Sequence, residues 1–600
     1  MQTIQQILEV KLRAAVGDAD GVAVTVQSAT DARFGDYQSN IAMQLAKPRR
    51  ANPRALAQEI IAKLDVADLC ETPEIAGAGF INFRLKPATL IAHFVALAAD
   101  DRLGVPTVPP RRLVIDFSSP NVAKPMHVGH IRSTFLGDAL ARIGRFLGHT
   151  VVTDNHIGDW GTQFGMLCLA WKTIRDSEAL LRDPIAELER IYKTINAKIY
   201  AELFDTTPAA PKVGEAISET KDAARAELVK LQSGDEENLG IWREMIRLSQ
   251  VQFDTIYSRL GIHFDVTLGE SFYNPWLKET VADLVASGIA RESAGALCVF
   301  SDRTIPEKED PFLIKDENGW KDAPALVQKT DGASNYTTTD LATIAYRVRE
   351  FSPDEIIYVT DGRQQLHFRQ FFAIWRRWQP ASAVKLAHVW FGSILGEDGK
   401  PFKTRSGDTV KLADLLDEAV DRASKVIAEK NPEMPETERR DIARIIGLGA
   451  VKYADLLPNR QGDYVFSWAK MLSFQGNTAP YLQNAYVRIR AIFRKADIAQ
   501  SEIRNSQSEI SFTEPAEFAL VKKLAQFGEV LPSILDDYRP NLLCNYLYEL
   551  ADAYHSFYEA CPVLKAAEPA RSSRLALSDT TARVLAKGLD LLGIGVPERM

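Results

Sequence analysis

The stretch Ser118–Thr134 reads SSPNVAKPMHVGHIRST, and its reading decides the fold. Serine, proline and asparagine crowd its front. Behind them His127 and His130 bracket Val128 and Gly129. The residues that follow put Ile131, Phe135, Ile143 and Phe146/Leu147 on one helical stripe. Upstream, LVIDF (Leu113–Phe117) is a short apolar run suited to a buried strand. Downstream, TVVTD (Thr150–Asp154) is the next strand. Strand, glycine-bearing turn, helix and strand make a βαβ unit, and hence a parallel sheet. A helix that begins just after a strand points its free N–H groups and positive dipole end at a ready anion site. Gly129 has no Cβ, so a ligand can lie close to the backbone. Two imidazoles at that place suit a phosphate whose charge grows in a transition state. The plainer alternative is a pair of loop histidines that cap a turn.

Further out, the sheet pattern is interrupted. Residues 165–290 are mostly helical and rich in Ala, Glu and Lys. Strand signals resume at EIIYVT (Glu355–Thr360) and KLAHVWFG (Lys385–Gly392), which describes a nucleotide-type sheet carrying a large insertion. From about Arg439 the periodicity is helical to the end. Residues 1–107 form a separate front unit, in which helical patterns flank FGDYQSN (Phe34–Asn40) and AGAGFINFRL (Ala76–Leu85). The segment DDRLGVPTVPPRR (Asp100–Arg112), with three prolines and a glycine, reads as a linker that few contacts should cross. The expected units are 1–107, 108–455 with its insertion, and 456–600.

With 600 residues, 46% hydrophobic and 25% charged, the chain is an ordinary globular multidomain protein. No apolar run approaches the roughly 18 residues of a membrane span, and the N-terminus lacks the regions of a signal peptide. The cysteines Cys70, Cys168, Cys298, Cys544 and Cys561 are scattered without a CxxC pair, which argues against a disulfide framework or zinc site and for a reducing cytosol. The net charge of −8 argues mildly against nucleic acid. Local patches decide that question, however. Tyr481–Gln500 carries Arg488, Arg490, Arg494 and Lys495 against Asp497 alone, either as a nucleic-acid face or as a solvated one.

HxGH after a first strand resembles the signature of class I aminoacyl-tRNA synthetases and related nucleotidyltransferases. The full Ser118–Thr134 string, and NHIGDWGTQFG (Asn155–Gly165), resemble the arginyl-tRNA synthetases in particular. So do FGDYQSN, GFINF, YTTTDLATI (Tyr336–Ile344), RQQLHF (Arg363–Phe368), TAPYLQNAYVRI (Thr478–Ile489) and the closing GLDLLGIGVPERM. The resemblance implies an α/β architecture: a Rossmann-type parallel-sheet catalytic domain with a helical insertion, an α+β N-terminal tRNA-binding domain and an all-α anticodon-binding domain. It implies that arginine and ATP, with Mg²⁺ carried on the nucleotide, form arginyl-adenylate, and that the arginyl group passes to tRNA-Arg. A cytoplasmic monomer without membrane partner or resident metal is expected.

The same resemblance assigns residues. Tyr336 and Asp340, at i and i+4, would grip the guanidinium, and Gln364 would line that pocket. Asp116 and Asn121 would face the α-amino end, although many relatives carry Glu at the first position. His127, Gly129 and His130 would hold ATP. Catalytic charge would come from Lys124 and from Lys403 and Arg405, in GKPFKTRSGD (Gly399–Asp408), a degenerate second signature without its methionine. Tyr486, Arg488 and Arg490 would meet tRNA bases and phosphates. Two other readings compete. A small-molecule nucleotidyltransferase would leave the front 107 residues and the C-terminal helices unused. A non-catalytic tRNA-binding paralogue should have lost the histidines or the acids.

Overall fold

A computed structural model of the chain describes residues 1–19, 21–29, 31–204, 218–317, 319–402, 410–498 and 509–600. Its central sheet is parallel throughout, in the spatial order Lys385–His388, Glu355–Tyr358, Arg112–Asp116, Thr150–Asp154. Leu113–Asp116 and all of Glu355–Tyr358 are buried, as expected of strands covered on both faces. The chain leaves Arg112–Asp116 towards one neighbour and returns on its other side. That reversal opens a crevice beyond the carboxyl ends of the strands, where ligands of such sheets bind.

The helix after the first strand spans Ile131–Leu147. It is buried on nearly every side, not along one stripe, and Phe146 is only half-buried. The reason is packing. On one side a Cβ at Gly137 would fall 2.1 Å from the Phe117 ring. On the other, helices Glu436–Leu456, Phe527–Asp537 and Ala570–Leu591 lie against it. The histidines sit just ahead of this helix, in a single 3₁₀ turn Val128–His130.

The interruption is helical, through Gln163–Thr173, Pro184–Leu203, Glu219–Gln232, Glu236–Leu260 and Asn274–Ala286. Next comes an antiparallel sheet of Ala290–Ser293, Ala296–Val299 and Ala325–Gln328, with a hairpin Leu313–Asp316/Gly319–Asp322. Sequence pattern does not find these strands, because four half-exposed residues are too few to show a period. Helices Leu412–Lys430 and Glu436–Leu456 begin the C-terminal bundle. Tyr464–Val465 nevertheless still pairs, in parallel, with Ile394–Leu395, which follows the last strand of the central sheet.

The front unit is a four-stranded antiparallel sheet, Gln27–Ser28, Tyr37–Ser39, Phe80–Phe83 and Glu74–Ala76 in spatial order, flanked by helices. The segment Asp100–Arg112 is not a free linker. Leu103 and Val105 are buried in the core, and a Cβ at Gly528 would fall 2.4 Å from the Gly104 carbonyl oxygen. Contacts do cross this boundary. Phe94 meets Phe512 edge-on at 5.3 Å, the Tyr37 hydroxyl donates to Glu529 at 2.7 Å, and Arg583 donates to the carbonyls of Ala98 and Asp100. Proline content signals irregular backbone, and irregular backbone here is packed between two units.

Candidate active site

Beyond Asp116 the chain enters strained backbone. Ser118, Ser119 and Ala123 have φ of 73°, 48° and 63°, left-handed values that cost L-residues energy. Tertiary contacts hold them there. The Ser133 hydroxyl accepts the Ser118 N–H at 2.8 Å and donates to the Val359 carbonyl at 2.5 Å. The insertion helix adds Ser249, which accepts the Ala123 N–H at 2.9 Å, and Tyr257, whose hydroxyl lies 2.8 Å from that of Ser118.

In the histidine turn, His127 Nδ1 accepts the Gly129 N–H and His130 Nδ1 accepts the His127 N–H, both at 3.1 Å. A ring nitrogen that accepts carries no proton, so neutral His127 holds its proton on Nε2, whereas His130 Nδ1 also lies 3.3 Å from the His127 carbonyl oxygen, to which the other tautomer would donate. The rings lie 4.0 Å apart. Burial pushes His130 down to about 3, and burial together with Lys124 lowers His127. Both are therefore neutral donors at physiological pH, and net positive charge must come from elsewhere. Lys124 lies close enough to act on His127, its ammonium 4.9 Å from the Tyr192 ring. Gly129 is required for space, since its Cβ would fall 2.8 Å from His127 Cε1.

The residues just after the second signature are tied to this turn. Val128 N–H donates to Val410 O at 3.0 Å, and Leu412 N–H donates to Met126 O at 2.9 Å. At the other end Phe402 N–H donates to Ile394 O. Lys403 and Arg405 lie outside the described residues.

The helix Tyr336–Phe351 brings Tyr336, Asp340 and Arg347 along one face. Arg347 is fully buried and bridges Asp116 at 2.6 Å and Asp154 at 2.8 Å. It thereby docks the helix on the carboxyl ends of a middle strand, Arg112–Asp116, and of the edge strand beside it, Thr150–Asp154. Ser119 Oγ donates to the other oxygen of Asp116 at 3.1 Å, so both oxygens of that carboxylate are engaged. The expectation of an open acid at Asp116 thus changes, because its partner lies 231 residues away in sequence. Asn121 is exposed and packs on the backbone of Gly158. Tyr336 is 63% exposed. Asp340 Oδ2 accepts His367 Nε2 at 2.5 Å, and the His367 ring meets Tyr336 edge-on at 4.8 Å. Gln364 is exposed in the turn Gly362–Gln364, which Gly362 N–H pins to Phe391 O at 3.1 Å.

Two residues here escape sequence reasoning. Glu270 makes no side-chain hydrogen bond among the described residues, and burial, with Asp340 and Asp159 adding, pushes its carboxyl up to about 7. Nothing in LGESFYNP (Leu268–Pro275) marks it. His367 does stand in the quoted RQQLHF, but its partner Asp340 is 27 positions away.

Among the C-terminal helices, Ala479–Ala496 and Asn541–Ala560 flank a groove of about 670 Å³ lined by Tyr481, Arg488, Lys495, His555 and Tyr558. Arg488 lies in it. Tyr486 and Arg490 do not, since residues two apart on a helix point to different sides.

A parallel sheet bearing HVGH at its first turn, with an α+β unit before it and a helical unit after it, is the architecture of a class I aminoacyl-tRNA synthetase. Residues 94–468 match the class I (R) tRNA synthetase catalytic domain, residues 482–600 the DALR anticodon binding domain, and residues 2–85 the arginyl-tRNA synthetase N-terminal domain. The chain is 47% identical over 583 residues to an arginine–tRNA ligase of Synechococcus sp., covering 95% of this chain and 94% of the relative. It is 45% identical over 605 residues to that of Chromobacterium violaceum, covering all of both. The solved arginyl-tRNA synthetases of Plasmodium falciparum and Thermus thermophilus superpose with TM-scores of 0.81 and 0.79 at 26% and 25% identity, again over both full chains. The chain belongs to the arginyl-tRNA synthetases, enzymes that charge tRNA-Arg with arginine through an adenylate.

Proposed function

We propose a residue-level account of that reaction in this chain. Tyr336 and Asp340 take the guanidinium of L-arginine, with Gln364 on the rim and Glu270 adding negative charge. The observation that carries this is an acid with one committed and one uncommitted oxygen, Asp340, beside a largely exposed tyrosine at the carboxyl edge of the sheet. Asn121 lies towards the α-amino end. Asp116 acts there through the charge it shares with Arg347 and not through an open oxygen. His127, Gly129 and His130 receive ATP, whose Mg²⁺ arrives with the phosphates. In the Nε2–H tautomer the two imidazoles donate to the transition state as the substrate carboxylate attacks the α-phosphorus and pyrophosphate departs. Lys124, Lys403 and Arg405 supply positive charge to the leaving group. The 2′- or 3′-hydroxyl of the terminal adenosine then takes the arginyl group.

Residues 1–107 are read as the additional tRNA-contacting domain, 108–455 as the Rossmann-type catalytic domain and 456–600 as the anticodon-binding domain. For base stacking, the groove face of Tyr481, Arg488, His555 and Tyr558 is favoured over Tyr486 and Arg490, because two tyrosines there share one hollow with cations. The enzyme is read as a cytoplasmic monomer. ATP–pyrophosphate exchange with arginine, with and without tRNA-Arg, tests the assignment. Exchange specific to arginine is expected, and it should depend on tRNA-Arg because the second signature is degenerate. Exchange with no amino-acid preference would sink the pocket assignment.

A further inference from the structure

We propose that His367 is the positioning residue of the amino-acid pocket, fixing the orientation of the Asp340 carboxylate. The inference rests on reading Tyr336 and Asp340 as the guanidinium site. An aspartate in the first turns of a helix has rotamer freedom, whereas a guanidinium fork rewards one fixed carboxylate plane. His367 supplies the constraint. Its Nε2 lies 2.5 Å from Asp340 Oδ2, and Asp340 Oδ1 makes no hydrogen bond among the described residues. The imidazole cannot swing easily. Tyr336 meets it edge-on at 4.8 Å, Phe371 packs at 5.0 Å and Phe368 at 5.8 Å. The two side chains are 19% and 22% exposed, so the contact is largely shielded from water, where a hydrogen bond to a charged group gains strength.

The geometry of the donor matters. An imidazole donating through Nε2 fixes one oxygen of Asp340 and leaves Oδ1 open to the ligand. His367 also joins the two walls of the pocket. It is the third residue of helix Gln365–Trp378, directly after the turn that carries Gln364, and it reaches across to the helix that carries Tyr336 and Asp340. A residue that sets Asp340 and contacts Tyr336 at once governs arginine affinity while having no reason to touch ATP.

The test is steady-state aminoacylation of tRNA-Arg by the full chain, with KM read separately for arginine and ATP. Glutamine places an amide nitrogen near the Nε2 position, and asparagine places one near Nδ1. His367→Asn should raise the arginine KM about ten- to hundredfold, while His367→Gln stays within about threefold of the parent and the ATP KM moves less than about twofold in both. In a double-mutant cycle, His367→Asn should add nothing to Asp340→Asn, because a residue acting through Asp340 has no effect once that carboxylate is gone. Equal behaviour of the Gln and Asn variants, parallel rises in both KM values, or full additivity in the cycle would each overturn the proposal. If Asp340→Asn alone leaves the arginine KM unchanged, the pocket reading falls first. If Asp340→Asn raises it and His367→Asn does not, only the role of His367 falls.

Discussion

The two edges of the central sheet use the same residue types to opposite ends. At the amino edge Glu355 is buried and fully answered. Arg111 meets one oxygen at 3.1 Å, Lys385 meets the other at 2.9 Å, and the Tyr538 hydroxyl joins from the C-terminal bundle. Asp354 beside it accepts the Arg112 N–H at 2.7 Å. At the carboxyl edge Arg347 bridges Asp116 and Asp154, but Asp154 Oδ1 is buried without a hydrogen-bond partner, Asp340 keeps an oxygen open and Glu270 has no partner among the described residues. The carboxylate at the amino edge is complete, whereas three at the carboxyl edge are left with open oxygens. Asp154 shows that an open oxygen also occurs in an acid that docks elements.

Four measurements break or sharpen that contrast. The largest effect is expected for His130→Ala, which removes a transition-state donor. Single-turnover adenylate formation should fall ~10²–10³-fold with little change in melting temperature. A collapsed melting temperature with normal chemistry would make the turn structural. Next, Asp340→Asn should raise the arginine KM by roughly 10²-fold and leave the ATP KM nearly alone, as loss of a shielded charge partner predicts. Glu355→Gln should do the reverse, costing on the order of 1–3 kcal/mol of stability in denaturant titration with an unchanged arginine KM. A kinetic defect there would erase the distinction between edges.

The smallest effect concerns pH. Glu270 is raised to about 7 in the folded chain, against 4.5 for an ordinary glutamate. Between those values the folded state holds the extra proton, so stability from this group falls as pH rises through that window and stays low above it. Arginine favours the ionised carboxylate, so its KM should fall a few-fold as pH rises past about 7. Glu270→Gln should flatten that profile. Burial also raises Glu529 to about 7, against the lowering effect of the Tyr37 hydroxyl, so its stability contribution falls across the same window. Hence the KM profile, not the melting curve, isolates Glu270. An unchanged pH dependence in Glu270→Gln would remove it from the pocket.

What the sequence discloses follows the range of the interactions. The first strand, the histidine turn, its helix and the following strand lie within 43 consecutive residues, Arg112–Asp154, and local pattern finds them all. Strands at Glu355–Tyr358 and Lys385–His388 also announce themselves, because both are short apolar runs. Burial of Ile131–Leu147 on all sides does not, since its covering helices come from the far end of the chain. The engagement of Asp116, the His367–Asp340 bond and the charge state of Glu270 are tertiary facts with no local signal. The packed segment at Asp100–Arg112 misleads for a related reason: composition reports backbone irregularity, but only the partner surface decides exposure.

The left-handed residues Ser118, Ser119 and Ala123 carry a consequence for engineering. Glycine adopts that conformation without the Cβ clash, and its added freedom weighs mainly on the unfolded chain. At Ala123 the methyl is also buried in the core, so glycine there would set relief of the left-handed strain against lost packing and a freer unfolded chain. A screen for heat resistance would read only the net of those effects, while the approach to the histidine turn would still be held by Ser133 and Ser249.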